Sequence, residues 1–302
     1  MLPFHSIAGV TMETLRALPF VLCIASLPAQ AGGVEWLGKP ELYAPDAVST
    51  PAANVRLAIS PDGRHELWGA IGAVAGKSDF DIYERVRKGD TWSAPQPAPF
   101  NSDANDFDPA FALDGSGVWF FSNRAGGQGG DDIWFVPLAH GQWGTPVNAG
   151  AAINTSRNEW APSPLAHDCL LYSSDGHGGA GGQDLWISCR KNGEWSAPQG
   201  LAGVDTEESE YDATMLEDGR TLIFTRSPNP DEGSSLWLGV RGKDEKYTVE
   251  RLPDSLNSPS GWNFGPSVSV SHPGVLFYSS HWDAATKGRT DIYSVRYRLA
   301  KP

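Results

Sequence analysis

Long apolar runs are scarce in this 302-residue chain, and the one that stands out, residues 18–27, lies close to the N-terminus. No later segment approaches the ~20 apolar residues that cross a bilayer, which excludes a helical integral membrane protein. Positive charge is also in short supply. Against 36 Asp and Glu there are 23 Lys and Arg, a formal charge of -13, and such a surface repels nucleic acid and anionic lipid. Helix-period apolar spacing is missing downstream of the N-terminal run, so an all-β chain is expected. Two catalytic signatures are absent as well: there is no Gly-x-Ser-x-Gly elbow and no Gly-Lys-Ser/Thr phosphate loop.

The N-terminal run has its own meaning. Residues 12–31, "METLRALPFVLCIASLPAQA", give a start Met, the basic Arg16, the apolar stretch and Ala29-Gln30-Ala31 as a small-residue cleavage site. This pattern reads as a secretory signal peptide over 1–31 with Met12 as the start. Cys23 follows Leu22 rather than a small residue, which argues against a lipid anchor. A periplasmic or secreted chain of residues 32–302 is expected, and cleavage leaves the charge unchanged because it removes Glu13 and Arg16 together.

Only three cysteines occur, and Cys169 and Cys189 follow the leader. They flank one hairpin. If Tyr172 faces Trp186, the same register sets Cys169 opposite Cys189, and in an oxidising compartment the pair is expected as a disulfide. A structural metal would need further Cys or His at ligand spacing, and none is near.

What the chain has in abundance is glycine, 34 residues, and a repeat. The stretch "SSDGHGGAGGQDLWIS" (173–188) is echoed by "SNRAGGQGGDDIWFV" (122–136) and "SSHWDAATKGRTDIYSV" (279–295). Aligned on the Asp-Ile/Leu-aromatic segment, five units begin at Asp81, Asp132, Asp184, Ser235 and Asp291. Each carries a strand before a turn such as "SPDG", "ALDG" or "LEDG", an apolar strand such as "GVWFFSN", the Asp-led strand, and a fourth such as "TWSAP", "QWGTP" or "EWSAP". Four strands repeated five times predict a single five-bladed β-propeller. The last unit stops without a fourth strand, and "EWLGKP" (35–40) supplies one ahead of the first unit, so the N-terminal strand is expected to close the last blade.

The segments "DPAFALDGSGVWFFSNRAGGQGGDDIWFV" and "INTSRNEWAPSP" resemble the TolB-type β-propeller repeats of bacterial envelope proteins, over about residues 54–298. The resemblance implies the fold and an envelope setting. It does not specify a function, because that family spans scaffolds, binding modules and peptidase-associated propellers. Neither a peptidase domain nor an OmpA-like domain accompanies the repeats here.

The glycine loops read chiefly as wide hairpin connections whose glycines take positive φ. The recurring Asp at the start of the third strand is expected to tie its turn backbone together. Calcium is the alternative for Asp131, Asp132 and Asp175, although no recognised ligand spacing supports it; otherwise no cofactor is expected. The connections between units are "AANVRLAIS", "DANDFDPAF", "SRNEWAPSP", "EESEYDATM" and "SGWNFGPSV". They are expected to set Arg56, Asp106, Glu159, Glu210 and Asn263 around the channel mouth, followed by Phe107, Trp160, Tyr211 and Phe264. Two readings stay open. The polar residues cap strands while the aromatics wedge between blades, or they converge on a ligand pocket to which the loop histidines His177 and His281 contribute. The function expected is noncatalytic binding or scaffolding by a monomer that engages an envelope protein, peptide or glycan. The alternative is a glycosidase-like enzyme using Asp106, Glu159 and Glu210, since acid and base carboxylates must flank the scissile bond.

Overall fold

A computed structural model describes residues 33–73, 80–229, 232–282 and 286–300. The expected signal segment 1–31 lies outside the described residues. No helix among them is long and apolar enough to cross a membrane.

The described chain is all-β and forms five antiparallel blades. The inner strands are Ala53–Ile59, Asp106–Phe111, Glu159–Leu165, Ser209–Met215 and Asn263–Ser267. Each blade runs outward in sequence order, as the repeat dictates. The fifth blade is completed by Val34–Leu42, which pairs with Asp291–Leu299 and sets Trp36 opposite Tyr297. The expected closure is therefore present, and it leaves no unpaired inner edge in that blade.

In the first three blades the fourth strand is split in two, Thr91–Trp92 and Gln96–Pro97 being the first example. The break falls where Pro95, Pro146 and Pro198 lack an amide hydrogen. A serine repairs the ladder at two of the breaks. Ser93 Oγ accepts from the Val86 N–H at 3.0 Å, and Ser196 Oγ accepts from that of Cys189 at 3.1 Å. The fourth blade has no such proline, and Tyr247–Arg251 is continuous.

The core lies in the seams between blades rather than in one central mass. Leu67, Ile82, Phe100, Val118 and Phe120 fill the first seam, while Val48, Leu57, Trp68, Phe277 and Ile292 join the fifth blade to the first. In the third blade Tyr172 pairs with Trp186 and Cys169 with Cys189, and the two cysteines are joined by a disulfide with Cα atoms 3.9 Å apart.

The glycine loops also belong to the seams. Gly126 and Gly178 do take positive φ. Most of the others are needed because neighbouring atoms come too close for a side chain. A Cβ on Gly181 would lie 1.7 Å from the Glu208 carbonyl oxygen, and one on Gly129 would lie 2.4 Å from that of Arg157. Each loop thus presses its backbone onto the connection that leads into the next blade.

Candidate functional site: the channel mouth and throat

The polar residues of the connections share one local device. In each blade a carboxylate or amide near the start of the inner strand accepts the N–H of a Ser or Thr four or five positions earlier. The pairs are Thr50 to Asn54, Ser102 to Asp106, Thr155 to Glu159, Thr206 to Glu210 and Ser258 to Asn263, with N···O distances of 2.5–2.9 Å. Hydroxyls of Ser102, Thr155 and Thr206 donate to the same carboxylates. The second strand adds a further partner: Arg124 for Asp106, Ser174 Oγ at 2.8 Å for Glu159 and Arg226 at 2.7 Å for Glu210. Asp106, Glu159, Glu210 and Asn263 are fully buried, and burial raises the proton affinity of Glu159 against these hydrogen bonds.

The first blade departs from the expected alignment. Asn54, not Arg56, matches Asp106, Glu159, Glu210 and Asn263, because it is Asn54 that accepts from its connection. Arg56 lies two residues further down the inner strand. There it aligns with Asp108, Ala161, Asp212 and Gly265, and these five residues share a left-handed backbone, with φ of 45°, 50°, 49°, 45° and 61°. In every blade the register slips at this point. A residue with a Cβ in this region costs about 1–2 kcal/mol, and four of the five bear one. The five bulges form a ring below the mouth, which we call the throat.

Charge at the throat is unevenly placed. Arg56, Asp108 and Asp212 are 2 %, 6 % and 7 % exposed. Arg56 Nη2 reaches across to the third blade, donating to the Pro162 carbonyl at 2.9 Å and more weakly to that of Ala161 at 3.4 Å. Its Nε and Nη1 have no hydrogen-bond partner, nor has Asp108 Oδ1. Asp212 Oδ2 accepts from the Gly265 N–H at 3.0 Å. Burial first, and the charge of Asp212 second, push the Asp108 carboxyl well above the usual range, with Arg56 opposing. Burial likewise raises Asp212. Sequence reading passed over both acids. The signal was present in the shared pattern of a polar residue, an apolar one, the throat residue and then Pro, Ala or Leu: "DFDP", "EWAP", "EYDA", "NFGP" and "NVRL".

The aromatics are distributed among the seams. Phe107 is buried against Phe121 and Phe80 and occupies the space a Cβ on Gly69 would need. Trp160 Nε1 donates to Asp131 Oδ2 at 2.7 Å. Phe264 packs with the Phe107 group, and burial raises the Tyr211 hydroxyl. His177 Nε2 lies 2.9 Å from the Ile153 carbonyl oxygen, its ring between Tyr172 and Trp186, and His281 Nδ1 lies 2.9 Å from that of Arg289. The structure therefore spreads the ten expected ligand residues over several seams and two levels of the channel.

The acids weighed for calcium have protein partners. Asp132 accepts from the Gln128 and Gly129 amides, and Asp184 and Asp291 hold their own loops in the same way. Asp175 accepts from Asn158 and Arg157. A separate acidic group, Asp184, Asp205 and Glu210, has oxygens within 4.8 Å of one another.

One pocket of about 530 Å³ opens on the mouth face between the second and third blades, lined by Gln128, Ala152, Asn154, Ser156 and His177 among others.

No family model matches the sequence, and no curated protein resembles it at sequence level. Among solved structures, TolB from Acinetobacter baumannii aligns at 15 % identity and a TM-score of 0.50, covering 83 % of this chain. The chain spans only 56 % of that TolB. A thermostable family-43 glycoside hydrolase aligns at 8 % identity and a TM-score of 0.56, covering 85 % of this chain and 97 % of its own. At these identities the likeness is one of architecture, and the chain has the fold of a TolB-like five-bladed β-propeller.

Proposed function

We propose that this chain is an exported, noncatalytic binding propeller whose mouth face engages a glycan, peptide or envelope protein. The observation that carries the reading is the saturation of Asp106, Glu159 and Glu210. Each is fully buried and holds its own connection together through three or more donated hydrogen bonds. A glycosidase needs one carboxylic acid and one carboxylate on either side of an accessible bond, and side chains spent on backbone amides do not supply that pair. The pocket bounded by Gln128, Ser156 and His177 offers instead a shallow face with mixed donors and acceptors. An acidic surface of -13 favours neutral or basic partners.

The test uses the exported chain with purified peptidoglycan, xylan and arabinan as immobilised probes, and reducing-end release measured in the same samples. Binding without release, lost when Ala152→Trp fills the exposed pocket, is the expected result. Release of reducing ends that disappears in Glu159→Gln or Glu210→Gln would replace this reading with the enzymatic one.

A further inference from the structure

The throat ring carries three charged residues that no mouth contact uses. Its five positions are equivalent by backbone, yet only Arg56, Asp108 and Asp212 bear ionisable groups there, and the remaining two are Ala161 and Gly265. Small residues at two positions leave the charged ones facing the channel rather than a crowded ring. Arg56 is held from three sides. Its N–H donates to Ser279 Oγ at 3.0 Å, its Nη2 is anchored on the third blade, and Gly265 packs against its Cβ, 3.5 Å from where a side chain there would begin. A guanidinium fixed in this way, almost wholly buried, with two nitrogens lacking acceptors, is an unusual arrangement. Buried polar atoms are ordinarily paired, and leaving one unpaired costs about 1–3 kcal/mol. Asp108 Oδ1 presents the opposite need at the same level.

The two needs restrict what can meet them. An anion would satisfy Arg56 while repelling Asp212, and a cation would satisfy the acids while facing the guanidinium. Either would also have to leave water, at an effective cost of several kcal/mol per ion. A hydroxyl group both accepts and donates and carries no charge into the throat. Two neighbouring hydroxyls can accept from Arg56 Nε–H and Nη1–H and donate to Asp108. We infer that the throat is a subsite for a neutral polyhydroxylated group, a sugar end reaching down from the mouth, with Arg56 and Asp108 as the recognising pair and Asp212 holding the Gly265 bulge beside them. The inference rests on the binding reading above and narrows its ligand class to glycans.

The experiment is isothermal titration and ligand-observed NMR with a panel of neutral saccharides, glucose, galactose, xylose, arabinose and their β-linked disaccharides, with glycine and acetate as charged controls. The parent should bind at least one saccharide and neither control. Asp108→Ala should weaken that binding roughly tenfold or more, with the far-UV spectrum and cooperative melt retained. If that variant does not fold, the parent still decides the matter, because the Arg56 Nε–H resonance should shift on saturation with the saccharide. Saccharide binding that leaves the Arg56 signal unmoved and survives Asp108→Ala, but is lost in Ala152→Trp, overturns the throat subsite and leaves the mouth reading standing. Binding of glycine or acetate in place of saccharides overturns the ligand class. Failure of every mouth-face probe, saccharides included, removes both proposals.

Discussion

Ser102 donates both its backbone N–H and its hydroxyl to one oxygen of Asp106, at 2.5 and 2.8 Å, while Arg124 takes the other. This closed set of contacts makes the carboxylate part of the blade, and the same holds for Thr155 with Glu159 and Thr206 with Glu210. Asp106→Asn, Glu159→Gln and Glu210→Gln each replace an acceptor oxygen with an NH2 that faces a donor. Each should lose about 1–3 kcal/mol of stability, read by thermal or denaturant unfolding. Three variants within 0.5 kcal/mol of the parent would return these acids to the candidate ligand set.

A second prediction concerns Asp205, which stands where three other seams use asparagine. Asn101, Asn154 and Asn257 each accept a strand N–H and donate to the carbonyl of the same residue, Ile82, Ile133 or Leu236. Asp205 accepts from Leu185 but can donate back only when protonated. Burial first, then the charges of Asp184 and Glu210, push its carboxyl up to about 7. Between the ordinary carboxylate range near 4 and about 7 the folded chain therefore holds a proton that the unfolded chain releases. Stability contributed by this group falls as pH rises through that window and levels off above it. Asp205→Asn should raise Tm more at pH 8 than at pH 5. An equal effect at both pH values would show that Asp205 does not titrate in the folded range.

The Cys169–Cys189 bond should appear as a 2 Da deficit in the intact mass of the exported chain. A double serine variant should lose about 3 kcal/mol, the loop-closure entropy of a 20-residue separation. Two alkylatable thiols in exported material would count against it.

Closure of the ring makes a fourth prediction. Val34–Leu42 is the outer strand of the fifth blade, and Trp36 packs on Tyr297 with ring centroids 6.0 Å apart. Removing residues through Leu42 exposes the edge of Asp291–Leu299 and the apolar group of Val295 and Tyr297. Loss of the cooperative melt or aggregation is expected. A truncated chain that melts like the parent would make this strand dispensable.

Much of the architecture was legible because it depends on periodicity. The Asp-Gly turns, the apolar second strands and the Asp-led third strands recur at near-constant spacing, so the count of five blades follows from the chain alone. The surplus strand at Trp36 and the missing one after Arg298 also gave the closure, and the pairing of Tyr172 with Trp186 gave the cysteine register. These are local hydrogen-bonding and alternation rules, and a linear sequence carries them intact.

What the tertiary structure alone decided is the depth at which each polar residue sits. In every inner strand one left-handed residue shifts the register, so counting along the sequence no longer tells which side chain meets the channel. That shift separates Asn54 from Arg56 and Asp106 from Asp108, turning the first of each pair toward backbone amides and the second toward the throat. The unmet hydrogen bonds of Arg56 and Asp108 exist only because three blades distant in sequence bring them to one level and bury them there. Burial of that kind is a property of the closed ring, and no single repeat encodes it.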